Sequence, residues 1–322
     1  MRRLWAVLLV LGLLSAGATN AAYLKRLEWA WRLVKDVYYD PTIRGLDWEA
    51  IGERYRERVQ KARSWAEVYR LIAEMYAEIN DGHTTFLPPW EAKAVLSNGA
   101  CYPLPYPEAW EEPPPKVEPP EDAGETEPAG WGGAEARVEE GVLYLRLPDL
   151  VAAENYAVLE SAISAHDHEV IGYVLDLRGN PGGLVFEMAR TAALFTRGWL
   201  WRLVMRGMGA IPEPTLPFWG TPPARKPLAV LIDGGVNSAA EGLAGGLKES
   251  NRAVFFGERT AGNTEALLPY CFPEGAVALV AAGVLAPLKG PTWEGRGVEP
   301  DFEVDPDEAL SAAIRYLKDA RR

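Results

Sequence analysis

Basic charge is in short supply: 33 lysines and arginines stand against 45 aspartates and glutamates, a formal charge of −12 at pH 7. That balance argues against nucleic acid or an anionic lipid surface as a partner. Cysteine is scarcer still, with two residues, Cys101 and Cys271. They allow one bridge, and the sequence leaves open whether their Cα atoms come within reach. The opening apolar run, Leu4 to Leu14, is too short to cross a bilayer as a stable helix. Glycine-rich turns occur without the Walker lysine pattern or the GxGxxG spacing, so a phosphate loop is excluded. Among three histidines, His166 and His168 flank Asp167 at a helix end and point to different faces. No metal site and no other cofactor is therefore expected.

What is present begins with Arg2 and Arg3, the apolar run, and small residues ending at Ala21 and Ala22. This is the build of an export signal over residues 1–21, the alternative being an uncleaved anchor. It predicts an exported protein, in a periplasm, cell envelope or extracellular space, with no stable membrane span once the signal is removed. Apolar residues at helical spacing predict helices from Tyr23 to Tyr38, from Trp48 to about Ala62, and from Ser64 to about Ile79. Ser64 and Glu67 form a capping box. These helices predict an N-terminal cap domain over residues 22–100. Residues 101–140 are rich in proline and acid and read as an extended linker.

From residue 141 to 322 strands alternate with helices, which predicts an α/β core. Strands are expected at Val142–Leu147, Val170–Asp176, Leu228–Asp233, Ala253–Phe256 and Ala276–Ala286. Helices are expected at Ala152–Ala165, Val185–Phe195, Ala239–Lys248 and Pro306–Lys318. The long core strands lack period-two alternation, as when both sheet faces are covered. The Pro-rich stretch around Pro212 to Pro223 reads as a mobile flap.

Ser238 stands between a buried strand and a helix start, beside N–H groups that lack helical partners and at the positive end of the helix dipole. Such a serine is either an N-cap or a nucleophile next to an oxyanion site. The turn Asp176 to Gly183 after another buried strand lets a backbone N–H approach a ligand oxygen. His83, in a loop after the third helix, is the best neutral-pH base in the chain for a serine nucleophile.

Taken in order, Asp81-Gly-His-Thr-Thr-Phe-Leu-Pro88, Val174 to Gly183, Asn237-Ser-Ala-Ala-Glu241 and Arg252 to Thr260 resemble the carboxy-terminal processing, or tail-specific, serine peptidases. Tyr38-Tyr-Asp-Pro41 and Gly297-Val-Glu-Pro-Asp301 are further matches. The resemblance implies a crotonase-like α/β core with a helical cap, and peptide-bond hydrolysis through an acyl-enzyme. It makes Ser238 the nucleophile and places the oxyanion hole at Gly182, Gly183 and Ala239. The family's lysine base is replaced by Asn263, so the sequence is closer to the tricorn-core branch, with His83 as base and Glu294 or Asp81 orienting it. Gly82 stands where the tricorn core has a helper serine, and Lys289 is a rival base. The usual PDZ domain has no room in the linker. The expected partner is a peptide or unfolded protein substrate, and an oligomer is compatible with the sequence. The alternative is a catalytically inactive peptidase fold that binds a peptide or apolar ligand.

Overall fold

Leu27, Ala30, Leu33 and Val34 fall on one face at helical spacing, and all four are buried along helix α1 (Arg2–Val37). The computed structural model describes residues 2–92, 101–111, 114–120 and 132–320, with side chains from residue 20 onward. The side chains of the expected export signal up to residue 19 lie outside the described residues. Among the described residues no helix is long and apolar enough to cross a membrane.

Helix α2 (Trp48–Val59) starts at Asp47, whose carboxylate accepts the Ala50 N–H at 3.0 Å. Helix α3 (Trp65–Ala77) starts at Ser64, whose hydroxyl accepts the Glu67 N–H at 3.2 Å. Glu67 returns its bond to the Arg63 N–H at 2.8 Å, one residue ahead of the expected partner. The indoles of Trp31 and Trp48 each donate to the other's backbone carbonyl, at 2.8 and 3.0 Å, which fastens α1 to α2.

Strands β1 (Thr85–Leu87), β2 (Tyr102–Pro103), β3 (Glu135–Glu139), β4 (Val142–Arg146) and β5 (Tyr173–Asp176) follow, with helix α4 (Ala153–His166) between the last two. Helix α5 (Val185–Phe195) leads into strands β6 (Trp199–Met205), β7 (Gly209–Pro214) and β8 (Leu228–Ile232). The chain ends with α6 (Ala239–Glu249), β9 (Val254–Gly257), β10 (Glu265–Cys271), β11 (Val277–Pro287), β12 (Phe302–Glu303) and α7 (Pro306–Asp319).

The chain divides into two units, residues 1–128 with 267–282, and residues 129–266 with 283–322. In the first, α1 to α3 enclose an aromatic-rich core in which Tyr69, Tyr76, Phe86 and Phe272 are buried. β1 pairs antiparallel with Val277–Leu279, and β2 pairs parallel with Tyr270 and Cys271. Cys101 and Cys271 are disulfide-bonded, their Cα atoms 5.4 Å apart. Residues 267–282 thus belong with the helices, where the sequence had placed them in the core.

Residues 101–140 differ from the extended linker expected of them. Leu104, Tyr106 and Ala109 are buried in the first core, and Glu135–Glu139 is a strand paired antiparallel with β4. The apolar residues among the prolines decide this; residues 121–131 lie outside the described residues. The start of the Pro-rich flap is corrected likewise: β7 pairs with β6 up to Pro214, and Thr215 is fully buried. Pro212 sits opposite Arg202 on the outer strand of that pair, where a missing N–H costs no ladder bond.

In the second unit, β4, β5, β8, β9 and β12 run parallel, with β3 antiparallel at one edge. Leu143, Leu145, Tyr173, Leu175, Val230, Ile232 and Phe255 pack with α4, α5 and α6 on one face. Val142, Tyr144, Val174, Ala229, Leu231 and Phe256 pack with α7 on the other. Both faces are covered, which is why the central strands β5 and β8 are apolar at every position before their carboxyl ends.

Candidate active site

β5 and β8 are neighbours and parallel, so the loops leaving their carboxyl ends lie side by side. Asp233 ties them together: its Oδ1 accepts the N–H groups of Gly179 and Gly235, both at 2.9 Å. Asn180, fully buried, carries the Asn237 N–H on its carbonyl at 3.0 Å and donates its own amide to Leu147 at 2.9 Å. Asp176 and Arg178, paired side by side at 2.9 and 2.6 Å, shape the start of the first loop.

Ser238 follows β8 with φ +53° and ψ −125°. A side chain in that region is strained by roughly 1–3 kcal/mol and persists only where its surroundings hold it. Ser238 makes no side-chain cap bond to α6, although it occupies the cap position. The N-cap reading therefore fails on its own terms, and the hydroxyl is left for another use. The turn is the sharp strand-to-helix kind that presents a nucleophile at the top of a sheet.

The strain is held from one side by the loop after β9. The Ser238 N–H donates to the Asn263 carbonyl at 2.9 Å. That loop is in turn gathered by Glu241, fully buried one turn along α6. Its carboxylate accepts the Thr260 hydroxyl at 2.6 Å and the N–H groups of Gly262 and Asn263 at 2.6 and 2.7 Å. Burial pushes the Glu241 carboxyl above its ordinary range, and these donors pull it back. Thr260 also accepts the Val298 N–H at 2.7 Å, linking the loop to the segment that carries Glu294.

On the other side stands Gly182. A Cβ there would lie 2.8 Å from the Ser238 Cβ and 2.9 Å from the Ala239 nitrogen, so only glycine lets the two loops meet. The Gly182 N–H already donates to the Asn180 side chain at 2.8 Å. That corrects its expected role as an oxyanion donor: it supplies room. The N–H groups of Gly183 and Ala239 have no protein acceptor among the described residues. Ala239 opens α6, where the helix dipole adds to its pull on an anion.

Glu294 lies in the same unit. Its Oε2 accepts the Thr264 N–H at 2.6 Å and the Thr264 hydroxyl at 3.2 Å, one residue past Asn263. Its carboxyl is pushed up to about 7, first by burial and then by the neighbouring Glu265 carboxyl. Trp293 packs flat enough on α6 that a Cβ on Gly245 would lie 2.3 Å from its ring.

Lys289 is exposed and lines a pocket with Glu249 and Ser250. That is the far end of α6, about 17 Å along the helix from Ser238 at 1.5 Å per residue. The geometry thus removes Lys289 as a base. His83 belongs to the first unit, half-buried on the loop after α3. Asp81 accepts the backbone N–H groups of His83 and Thr84 at 2.9 and 2.7 Å, so it shapes that loop. His166, as expected of a surface residue, pairs with Glu169 at the exposed end of α4.

Sequence reasoning passed over Asn180, Glu241, Thr260 and Glu265. The first three sit inside the motifs that drew attention, and Glu241 in a run of small residues at a helix start was the readable signal. Among the described residues no cluster of histidine, cysteine or carboxylates could hold a metal ion.

Residues 141–304 match Peptidase family S41, and residues 20–77 match the Tricorn protease C1 domain. A carboxy-terminal-processing protease of Bartonella bacilliformis is 32% identical over 184 residues, 52% of this chain and 40% of that one. A carboxyl-terminal-processing protease of Picosynechococcus is 25% identical over 363 aligned positions, 88% of this chain and 84% of that one. The chain thus spans less than half of the Bartonella relative. Among solved structures, the photosystem II D1 C-terminal processing protease superposes with TM-score 0.63 at 21% identity, covering 92% of this chain and 97% of that one. The tricorn protease superposes with TM-score 0.55 at 17% identity, covering 94% of this chain and 37% of that one.

Proposed function

Because the chain belongs to peptidase family S41, we propose that it is an exported serine peptidase that cleaves peptides or unfolded proteins through an acyl-enzyme on Ser238. The observation that carries this reading is the backbone of Ser238, at φ +53° and ψ −125° with no cap bond. A strained serine whose hydroxyl does nothing for the helix is the kind of backbone outlier that gathers at active sites.

In the proposed reaction His83 takes the hydroxyl proton as the Ser238 Oγ attacks the scissile carbonyl carbon. Negative charge gathers on the carbonyl oxygen, between the N–H groups of Gly183 and Ala239; a donor of this kind contributes roughly 2.7–4 kcal/mol. The C–N bond then breaks, and the amine leaves with the proton from His83. Water attacks the ester next, gives a proton to His83, and Ser238 leaves with that proton restored. Glu294 orients the imidazole and stabilises its charged form. The parallel sheet with the nucleophile at its carboxyl edge supports a crotonase-like core. The disulfide supports an oxidising compartment, in line with the export signal.

The test is a fluorophosphonate serine probe on the purified protein, beside Ser238→Ala and His83→Ala. Labelling lost in both variants supports the reading. Labelling lost in Ser238→Ala but kept in His83→Ala moves the base elsewhere. No labelling of folded wild type overturns the peptidase and leaves a binding protein.

A further inference from the structure

Asp149, in the turn between β4 and α4, is 3% exposed and has no part in the proposed reaction. Its Oδ1 accepts the N–H groups of Val151 and Ala152 at 2.8 and 3.0 Å. An ionised acceptor makes such bonds roughly twice as strong as a neutral one. Asn155, equally buried, donates to the Asp149 carbonyl at 3.4 Å and accepts the Ala134 N–H at 2.9 Å. The backbone around Leu150 is therefore held from within its own turn.

Leu150 carries this hold to the glycine turn after β5. Its N–H donates to the Gly182 carbonyl at 2.8 Å, and its carbonyl accepts the Leu184 N–H at 2.8 Å. The two bonds bracket Gly183 in a single parallel bridge. The approach is so close that a Cβ on Gly183 would lie 2.4 Å from the Leu150 carbonyl carbon and oxygen. The Gly182 carbonyl and the Gly183 N–H belong to one planar trans peptide, so they point in opposite directions. With the carbonyl turned to Leu150, the N–H is turned away from it, toward the space a ligand oxygen can enter.

Sterics within the glycine pair leave that direction open. Gly182 and Gly183 have φ of +96° and +141°, and glycine moves through backbone regions closed to other residues. A flip of their shared peptide would put a carbonyl oxygen where the donor stands, and an oxyanion would meet the wrong end of the dipole. The bond from the Leu150 N–H opposes that flip.

We propose that Asp149 is a positioning residue for the oxyanion site: through Leu150 it keeps the Gly182–Gly183 peptide in its donor orientation. This role rests on the reading of Gly183 as an oxyanion donor beside Ser238.

The test is fluorophosphonate labelling of the full chain, followed by phosphorus NMR of the adduct, for Asp149→Asn, Asp149→Ser and Asp149→Ala. The phosphoryl oxygen of the adduct sits where the oxyanion forms, so its resonance reports on the Gly183 donor, and a merely structural role would not move it. Asparagine keeps an acceptor for the two N–H groups, serine a weaker one and alanine none. Labelling is expected to stay within about threefold of wild type in Asp149→Asn and to fall at least about tenfold in Asp149→Ala, short of the roughly 10²–10³ for outright loss of a donor. The resonance should hold its place in the first and move toward that of the denatured adduct in the second. If Asp149→Ala does not fold, Asp149→Ser carries the same comparison with smaller changes of the same sign. A folded alanine or serine variant that labels like wild type, or that labels slowly with the wild-type resonance, overturns this role and leaves the peptidase standing. Folded wild type that takes no label overturns the peptidase reading and this role with it.

Discussion

The backbone N–H of Ser238 donates to the carbonyl oxygen of Asn263 at 2.9 Å, and the N–H of Asn263 donates to Glu241 at 2.7 Å. The residue that stands where a lysine was looked for thus acts through its main chain, as a link between the strained serine and a buried carboxylate. Glu241→Ala would leave the Thr260 hydroxyl and two N–H groups without an acceptor. Denaturant unfolding is expected to show a loss of about 1–3 kcal/mol, the usual cost of unmet buried donors. Fluorophosphonate labelling should fall with it, because Ser238 loses its hold. Labelling at the wild-type rate in a destabilised Glu241→Ala would separate the clamp from the nucleophile.

Gly182 offers a sharper test of the proposed site. Its φ is +96°, and a Cβ would lie 2.7 Å from the Asn237 carbonyl oxygen and 2.8 Å from the Ser238 Cβ. Gly182→Ala must push the two loops apart. Its N–H bond to Asn180 can survive, so the expected effect is a labelling rate at least tenfold lower, with a stability loss of about 1–3 kcal/mol for overpacking. An alanine variant that labels normally would show that the loops do not need this contact.

The ordered motifs made the second unit legible. Covered strands, a glycine turn after one and a serine turn after its neighbour are local signals, and each of those strands forms within three residues of its expected place. The first unit was less so. Leu104 and Tyr106 are buried apolar residues set among prolines and acids, and a composition average hides them. β6 and β10 went unseen because their register depends on partners far along the chain: β6 pairs with Gly283–Pro287 and β10 with Tyr102 and Pro103. The return of residues 267–282 to the helices is a fact of topology that no local pattern carries. In the site, Ser238 was legible as a candidate and its conformation was not, since φ depends on Gly182 and Asn263 together.

The disulfide joins β10 to the segment opening β2 across 170 residues of chain. Cross-linking a loop that long restricts the unfolded chain strongly, and removing a native bridge typically costs 2–5 kcal/mol. Cys101→Ser with Cys271→Ser is expected to lower the unfolding free energy by about that amount. Chemical reduction should do the same. No change in stability on reduction would mean that the pair is not bridged in the folded protein.

The carboxyl of Glu294 is raised from 4.5 to about 7, by burial first and by Glu265 after it. A carboxyl that binds its proton more tightly when folded stabilises the fold fully below its unfolded pKa and loses that contribution as pH rises through the folded one. Wild-type stability should therefore decline between pH 4.5 and about 7 relative to Glu294→Gln, in which that slope is absent. If Glu294 must be charged to orient the His83 imidazole, the labelling rate rises with pH through the same range. An ordinary histidine, with a pKa of about 6.5, would give a similar limb by itself. Glu265→Gln separates the two: it removes the neighbouring carboxyl that raises Glu294 and should move the midpoint to lower pH. A midpoint that stays where it was would assign the limb to histidine alone and take Glu294 out of the proposed triad.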